Sequence, residues 1–147
     1  MKEVHIVVGV AAIALNAAAA LLGSWRWWRH EQTVWFWRVL RTAQVAVVIQ
    51  VALGGVLVLT GQKPPSLHVI YGVLPLLLSL IAEQLRGASA QMVLDARGFE
   101  SAQEVGRLPQ DEQQGIVRAI LHRELGVMTA AAWVVVVLLL RAAQTAG

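Results

Sequence analysis

Long apolar stretches alternate with shorter polar ones along this chain. Predominantly apolar residues fill four segments, at residues 4–24, 35–61, 67–85 and 116–141. Each segment reaches the roughly 20 residues that a helix needs to cross the hydrocarbon core, where every backbone polar group must be paired within the segment. The pattern therefore predicts an all-α protein, an integral membrane four-helix bundle in which residues 1–147 form a single membrane domain.

The connection before the last segment, about residues 86–115, is the polar part of the chain. It interleaves five acidic residues with arginines and a few apolar residues, so part of it is expected to form a helix lying at the membrane interface. Pro109, followed by Asp111 and Glu112, predicts the start of the last helix, because acidic side chains favour the positive end of the helix dipole. That helix is expected to protrude into the cytoplasm.

The distribution of basic residues predicts an orientation. Nine of the twelve basic residues flank the first and third connections, namely Arg26, Arg29, Arg38, Arg41, Arg86, Arg97, Arg107, Arg118 and Arg123. The other side carries Lys2, Lys63 and Arg141. Cytoplasmic loops carry the excess of basic residues, so both termini are expected on the outer side of a plasma membrane that the chain crosses several times. The alanine run at 17–20 resembles a signal-peptide cleavage region only weakly, and we expect the first segment to be retained.

Composition supports a membrane class and narrows the partners. Hydrophobic residues make up 57% of the chain and charged residues 14%, with a mean hydropathy of +0.61, which is too apolar for an ordinary soluble domain. The formal net charge is +3, but its arginines are spread along the cytoplasmic rim, where anionic lipid headgroups attract them. We therefore expect the lipid bilayer as a partner and no nucleic acid.

The absence of cysteine restricts the redox chemistry open to the chain. Zero cysteines exclude a disulfide, a thiol redox centre, a cysteine-ligated iron–sulfur cluster and covalent haem attachment. Imidazole remains as the obvious ligand for a metal cofactor. Of the four histidines, His30 is expected to be a solvated rim residue. His122 lies in a charged turn and is expected to belong to an interfacial, ion-paired segment, with no second intramembrane histidine at its depth.

His5 and His68 each open an otherwise apolar segment. Placing an ionisable group within a membrane segment costs free energy, so such a residue usually has a function. A histidine near the interface can, however, simply be hydrated. The two segments run in the same direction across the membrane, so the two histidines are expected at matching depths on the outer side. Haem iron commonly takes axial imidazoles, and a bundle core can present two of them from facing helices. The pairing predicts a metal site formed by both residues.

The second segment carries a small-residue face that fits the same site. Gln50, Gly54, Leu57 and Gly61 follow helical spacing, and Gly55 widens the face that they form. Glycines permit the close approach of a neighbouring helix or of a flat macrocycle. These glycines are therefore candidate cofactor-binding residues, with plain helix packing as the alternative.

Residues 50–72 resemble part of a known family. The run QVALGGVLVLTGQKPPSLHVIYG is similar to a half-module of the haem A synthase family, in which a Gln-x-x-Leu-Gly-Gly helix precedes a haem-ligating histidine. The resemblance covers residues 4–86 and implies His68 as one haem ligand and His5 as the other. Cytochrome b561-like four-helix membrane proteins share the general plan.

The predicted function is binding of a b-type haem (haem b) near the outer face, for electron transfer or haem handling. Tyr71 and Lys63 are candidate contacts to a haem propionate, and Arg141 is the one arginine at that end. The chain lacks the Glu-x-x-His-Arg setting, the outer cysteine pair and the second four-helix unit of the synthases. We therefore expect neither their oxygenase chemistry nor a stand-alone enzyme.

Two other classes of function remain open. The chain can instead be a cofactor-free accessory subunit of a larger membrane complex, bound to a membrane-protein partner or to a second copy of itself. Charged residues at the cytoplasmic end would then either dock a partner or neutralise one another, namely Glu83, Arg86, Arg118, His122, Arg123 and Glu124. A small transporter using Asn16, Gln44 and Gln50 is the third hypothesis, although no acidic residue lies deep in the segments.

Overall fold

The computed structural model describes residues 1–146, and nearly all of that range is helical. The helices are α1 (Lys2–Trp28), α2 (Val34–Leu59), α3 (Ser66–Gly87), α4 (Ser89–Ala96), α5 (Ala102–Val105) and α6 (Gln110–Gln144). Helices α1, α2, α3 and α6 are each long and apolar enough to cross a membrane. The predicted all-α class and its four apolar helices are thereby confirmed.

The long helices alternate in direction, which gives the bundle two distinct ends. We call the end that holds Met1, the turn at residues 60–65 and Thr145 the terminal end. The opposite end, which holds the connections at residues 29–33 and 88–109, is the loop end. Helix α6 is the most buried of the four, since it packs against both α1 and α3, while α2 packs mainly against α1.

Small residues on α1 bring the helices close together. Ala12, Ala19 and Ala20 are fully buried against α2 and α6, and Gly23 lies beside Phe36. A Cβ atom at Gly23 would lie 2.6 Å from Phe36 Cε2, so even alanine does not fit there without a shift. Because lipid is as apolar as leucine, such close packing, rather than the hydrophobic effect, holds membrane helices together.

The outside of the bundle is also apolar. Large aliphatic side chains are exposed along every long helix, for example Val7, Val48, Leu80 and Val137. A surface of this kind would aggregate in water but is suited to hydrocarbon. The arrangement agrees with a helical membrane bundle.

Helix boundaries follow local residue chemistry. Helix α6 begins at Gln110 directly after Pro109, as the sequence predicts. Helix α2 ends at Leu59, so Gly61 lies in the following turn with φ +96°, a conformation that glycine adopts without strain. Part of the polar connection is helical, as expected, and it forms the two short helices α4 and α5.

Ion pairs join three helices near the loop end. Glu83 on α3 accepts from Arg41 and Gln44 of α2 and from Arg86, and Arg86 lies 3.4 Å from Glu124 of α6. These groups form the mutually neutralising network that the sequence allowed. Arg123 instead donates to the sulfur of Met92 on α4.

Candidate functional site

The structure brings His5 and His68 together at the terminal end. His5 lies in the first turn of α1 and His68 in the first turn of α3, on diagonally opposed helices. Their ring centroids are 6.1 Å apart, with an angle of 64° between the ring planes. Two apolar helices that run in the same direction thus present one imidazole each to a shared space.

The hydrogen bond of His68 sets its tautomer. Its Nδ1 donates to the backbone carbonyl of Ala142, near the end of α6, over 2.8 Å. A carbonyl oxygen can only accept, so Nδ1 carries the proton and Nε2 carries a free lone pair. Histidines that bind metals are usually held in this way, with one ring nitrogen bonded to a carbonyl and the other directed at the metal.

His5 is held by the second helix. The side-chain amide nitrogen of Gln50 lies 3.2 Å from His5 Nε2, and a Cβ atom at Gly54 would lie 3.3 Å from His5 Cε1. Gly54 therefore lets the imidazole edge approach the backbone of α2. His5 Nδ1 and Gln50 Oε1 are buried, and neither has a hydrogen-bond partner among residues 1–146. Buried polar atoms without a partner are rare, and they mark a site where a bound group would complete the bonding.

A cation lies one helical turn from His68. The guanidinium of Arg141 is 5.9 Å from the ring centroid of Tyr71, and Tyr71 follows His68 by three residues on α3. Arg141 immediately precedes Ala142, whose carbonyl holds His68. The candidate residues Tyr71 and His68 therefore share one cluster with an arginine that belongs to α6.

The other candidate glycines lie outside this cluster. A Cβ atom at Gly55 or at Gly61 would meet no atom within 4 Å. Gly61 is required by the backbone of the turn, as its positive φ indicates. Of the three glycines on the predicted face, Gly54 is the one that contacts a histidine.

The separation of the two rings can be compared with the separation expected for an iron between two imidazoles. With metal–nitrogen bonds of about 2 Å on either side, the ring centres would be roughly 6 Å apart, which is close to the observed separation. His68 presents a free Nε2. The nitrogen-bearing edge of His5 faces Gln50 and Gly54, so ligation by His5 requires its ring to turn away from α2.

A second histidine pair occupies the loop end, where the sequence analysis expected none. His30 follows the C-terminal residue of α1 with φ +53°, and its ring lies 4.4 Å from that of His122 with 19° between the planes. Trp27 stacks on the other side of His122 at 5.2 Å and 10°. The sequence places His30 at the rim but does not predict its contact with His122. The turn geometry folds His30 back onto α6, which hydropathy does not reveal.

The polar residues considered for transport are engaged locally. Asn16 donates to the carbonyl of Ala12, and Gln44 donates to Glu83. Asn16, Gln44 and Ser79 border a cavity of about 10 Å³ at the centre of the bundle. That volume is on the order of one water molecule.

Comparisons with protein-family models, with curated proteins and with solved structures find no match to this chain. The function is therefore argued from the geometry of the site.

Proposed function

We propose that this protein is a membrane cytochrome that binds one b-type haem between His5 and His68, at the outer face of the membrane. The observation that carries the proposal is the separation of the two imidazoles, 6.1 Å between ring centroids on two diagonally opposed helices. Both termini lie outside in this proposal, because the basic residues are concentrated at the loop end. The proposed role is electron transfer or haem handling, without oxygenase chemistry.

Each residue of the cluster has a distinct part in binding. His68, fixed by the Ala142 carbonyl, offers Nε2 without any change of tautomer. His5 would give up its contact with Gln50 to hold the metal, and Gln50 would then be close enough to donate to a polar group of the ligand. Gly54 supports this exchange because a larger residue would press on the imidazole from α2. A bound haem iron supplies one-electron exchange between its ferric and ferrous states.

The apolar surroundings favour a buried, noncovalent cofactor. Exposed aliphatic side chains on α2 and α3 flank the terminal end, including Val56, Leu67 and Ile70. Helices α2 and α3 pack against each other much less than the other neighbouring helices do. A flat apolar macrocycle would therefore reach the histidines most easily between α2 and α3.

The test is an absorption spectrum of protein purified in detergent after expression with haem available. We expect a Soret band and, after reduction, an α band, both lost in His5→Ala and in His68→Ala. His30→Ala and His122→Ala serve as matched controls, because they remove the same side chain from the loop end. We expect both controls to retain the bands.

Two results would contradict the proposal. One is a colourless, monodisperse wild-type protein that also fails to bind added haem. The other is a spectrum that survives loss of either terminal histidine but not of His122. If the colourless protein also co-purified with a stoichiometric membrane partner, the accessory-subunit hypothesis would take its place.

A further inference from the structure

Arg141 is the one arginine at the terminal end, and it has no carboxylate partner in the part of the chain that the structure describes. Its guanidinium lies over the ring of Tyr71 at 5.9 Å and donates to the side-chain oxygen of Gln144 over 3.0 Å. The other arginines that bridge helices, Arg41 and Arg86, do so through Glu83. Arginine has five N–H donors, so most of those on Arg141 remain available to a ligand.

The position of Arg141 connects it to the histidine pair from two directions. Through α6 it adjoins Ala142, which accepts from His68 Nδ1 over 2.8 Å. Through Tyr71 it reaches α3 one turn beyond His68. A ligand held by His68 therefore has this guanidinium as a neighbour on its water-facing side, since Arg141 is exposed near the end of the chain.

We propose that Arg141 binds a carboxylate of the ligand held by His5 and His68, with Tyr71 positioning the guanidinium. The inference rests on the proposed function, because the carboxylates in question are the propionates of a haem. Guanidinium and carboxylate form charge-assisted hydrogen bonds, and the planar fork of arginine matches both carboxylate oxygens. The aromatic face of Tyr71 restricts where the guanidinium can lie, which reduces the ordering cost of that bond.

The test compares two ligands that differ only in charge at the carboxylates. Haem and haem dimethyl ester, in which both propionates are esterified, are titrated into apoprotein in detergent and followed at the Soret band. We expect Arg141→Gln to weaken haem binding about tenfold, from the loss of a charged hydrogen bond, and to leave binding of the dimethyl ester unchanged. Lys2→Gln is the matched control, because it removes one positive charge from the start of α1 at the same end.

The possible outcomes distinguish a failure of the Arg141 inference from a failure of the proposed haem binding. Equal weakening of haem and of its ester in Arg141→Gln would mean that Arg141 acts only on the fold, and would overturn the inference. Unchanged binding of both ligands, or an equal loss in Lys2→Gln, would overturn it as well. Wild-type protein that binds neither ligand would instead refute the haem site itself. Helical circular dichroism and gel filtration of each variant show that the bundle is intact.

Discussion

The two histidine pairs of this bundle differ in geometry although each joins a helix start or end to a neighbouring helix. At the terminal end the ring centroids of His5 and His68 are 6.1 Å apart. The His5 ring is hydrogen-bonded to α2, and the His68 ring is hydrogen-bonded to α6. At the loop end His30, His122 and Trp27 form a stack with ring separations of 4.4 and 5.2 Å. The terminal pair meets edge to face, whereas the loop pair is stacked face to face.

This difference determines what each pair can bind. The lone pairs of an imidazole lie in the plane of its ring, so two rings stacked face to face direct their nitrogens along separate planes that do not meet at one metal ion. With 19° between its planes, the loop pair is built for stacking. The ring planes of the terminal pair lie 64° apart, so stacking does not prevent nitrogens of this pair from meeting at one ion.

The largest expected effect on stability comes from adding a methyl group at Gly126, beside the stack of Trp27, His122 and His30. A Cβ atom at Gly126 would lie 2.7 Å from Trp27 Nε1, so Gly126→Ala must push the indole away from α6. We expect a loss of about 1–3 kcal/mol in the free energy of unfolding, typical of overpacking. Thermal unfolding in detergent, followed by circular dichroism, measures this loss.

Gly72→Ala is the control for that experiment. A Cβ atom at Gly72 meets nothing within 4 Å, so this change is expected to be neutral or to stabilise α3 by up to about 1 kcal/mol. Equal stability of the two variants would show that the indole is not held against α6. Haem binding should survive both changes, since neither residue contacts the terminal pair.

A smaller effect is expected from the stack itself. In a double-mutant cycle, Trp27→Ala and His122→Ala should be coupled by about 0.5–1.5 kcal/mol, the range for stacked aromatic pairs. The same cycle with Trp25→Ala provides a baseline, because the Trp25 ring lies against the guanidinium of Arg26 instead. If the two cycles give the same coupling, the stack contributes no specific energy.

The smallest expected effect concerns pH at the loop end. The side-chain hydrogen bond from Arg29, with further contributions from Arg26, lowers the pKa of Glu31, the residue after His30. Because the folded-state pKa lies below the unfolded one, the carboxylate stabilises the fold above the unfolded pKa. This stabilisation is lost as the pH falls through the lowered value.

Melting temperatures of wild type and Glu31→Gln measure that effect. The wild type should be slightly more stable at neutral pH, and the difference should disappear in acid. Repeating the series in an Arg26→Gln, Arg29→Gln background should remove the difference at every pH. A wild-type advantage that grew on acidification would contradict the assignment.

The four long helices could be predicted from the sequence because hydrophobicity alone determines where they lie. Four apolar segments, and Pro109 before the last helix, correspond directly to α1, α2, α3 and α6. The meeting of His5 and His68 also follows from depth and direction, since both open helices that run the same way. Haem itself stays a prediction.

Contacts that depend on side-chain direction or on turn geometry could not be predicted in this way. His30 reaches His122 because its backbone adopts a positive φ after α1. The charge pattern does not predict this backbone conformation. Arg141 meets Tyr71 through the relative rotation of α3 and α6, which hydropathy leaves undefined. The one available signal was that both members of each contact lie at the same end of the bundle.

Helix α6 connects the two pairs directly, since it carries His122 near one end and Ala142 near the other. The 20 residues between these positions correspond to roughly 30 Å at 1.5 Å per residue. That length matches the thickness of a bilayer's hydrocarbon core, about 30 Å. A bilayer that α6 spans would therefore have one histidine pair near each of its two faces.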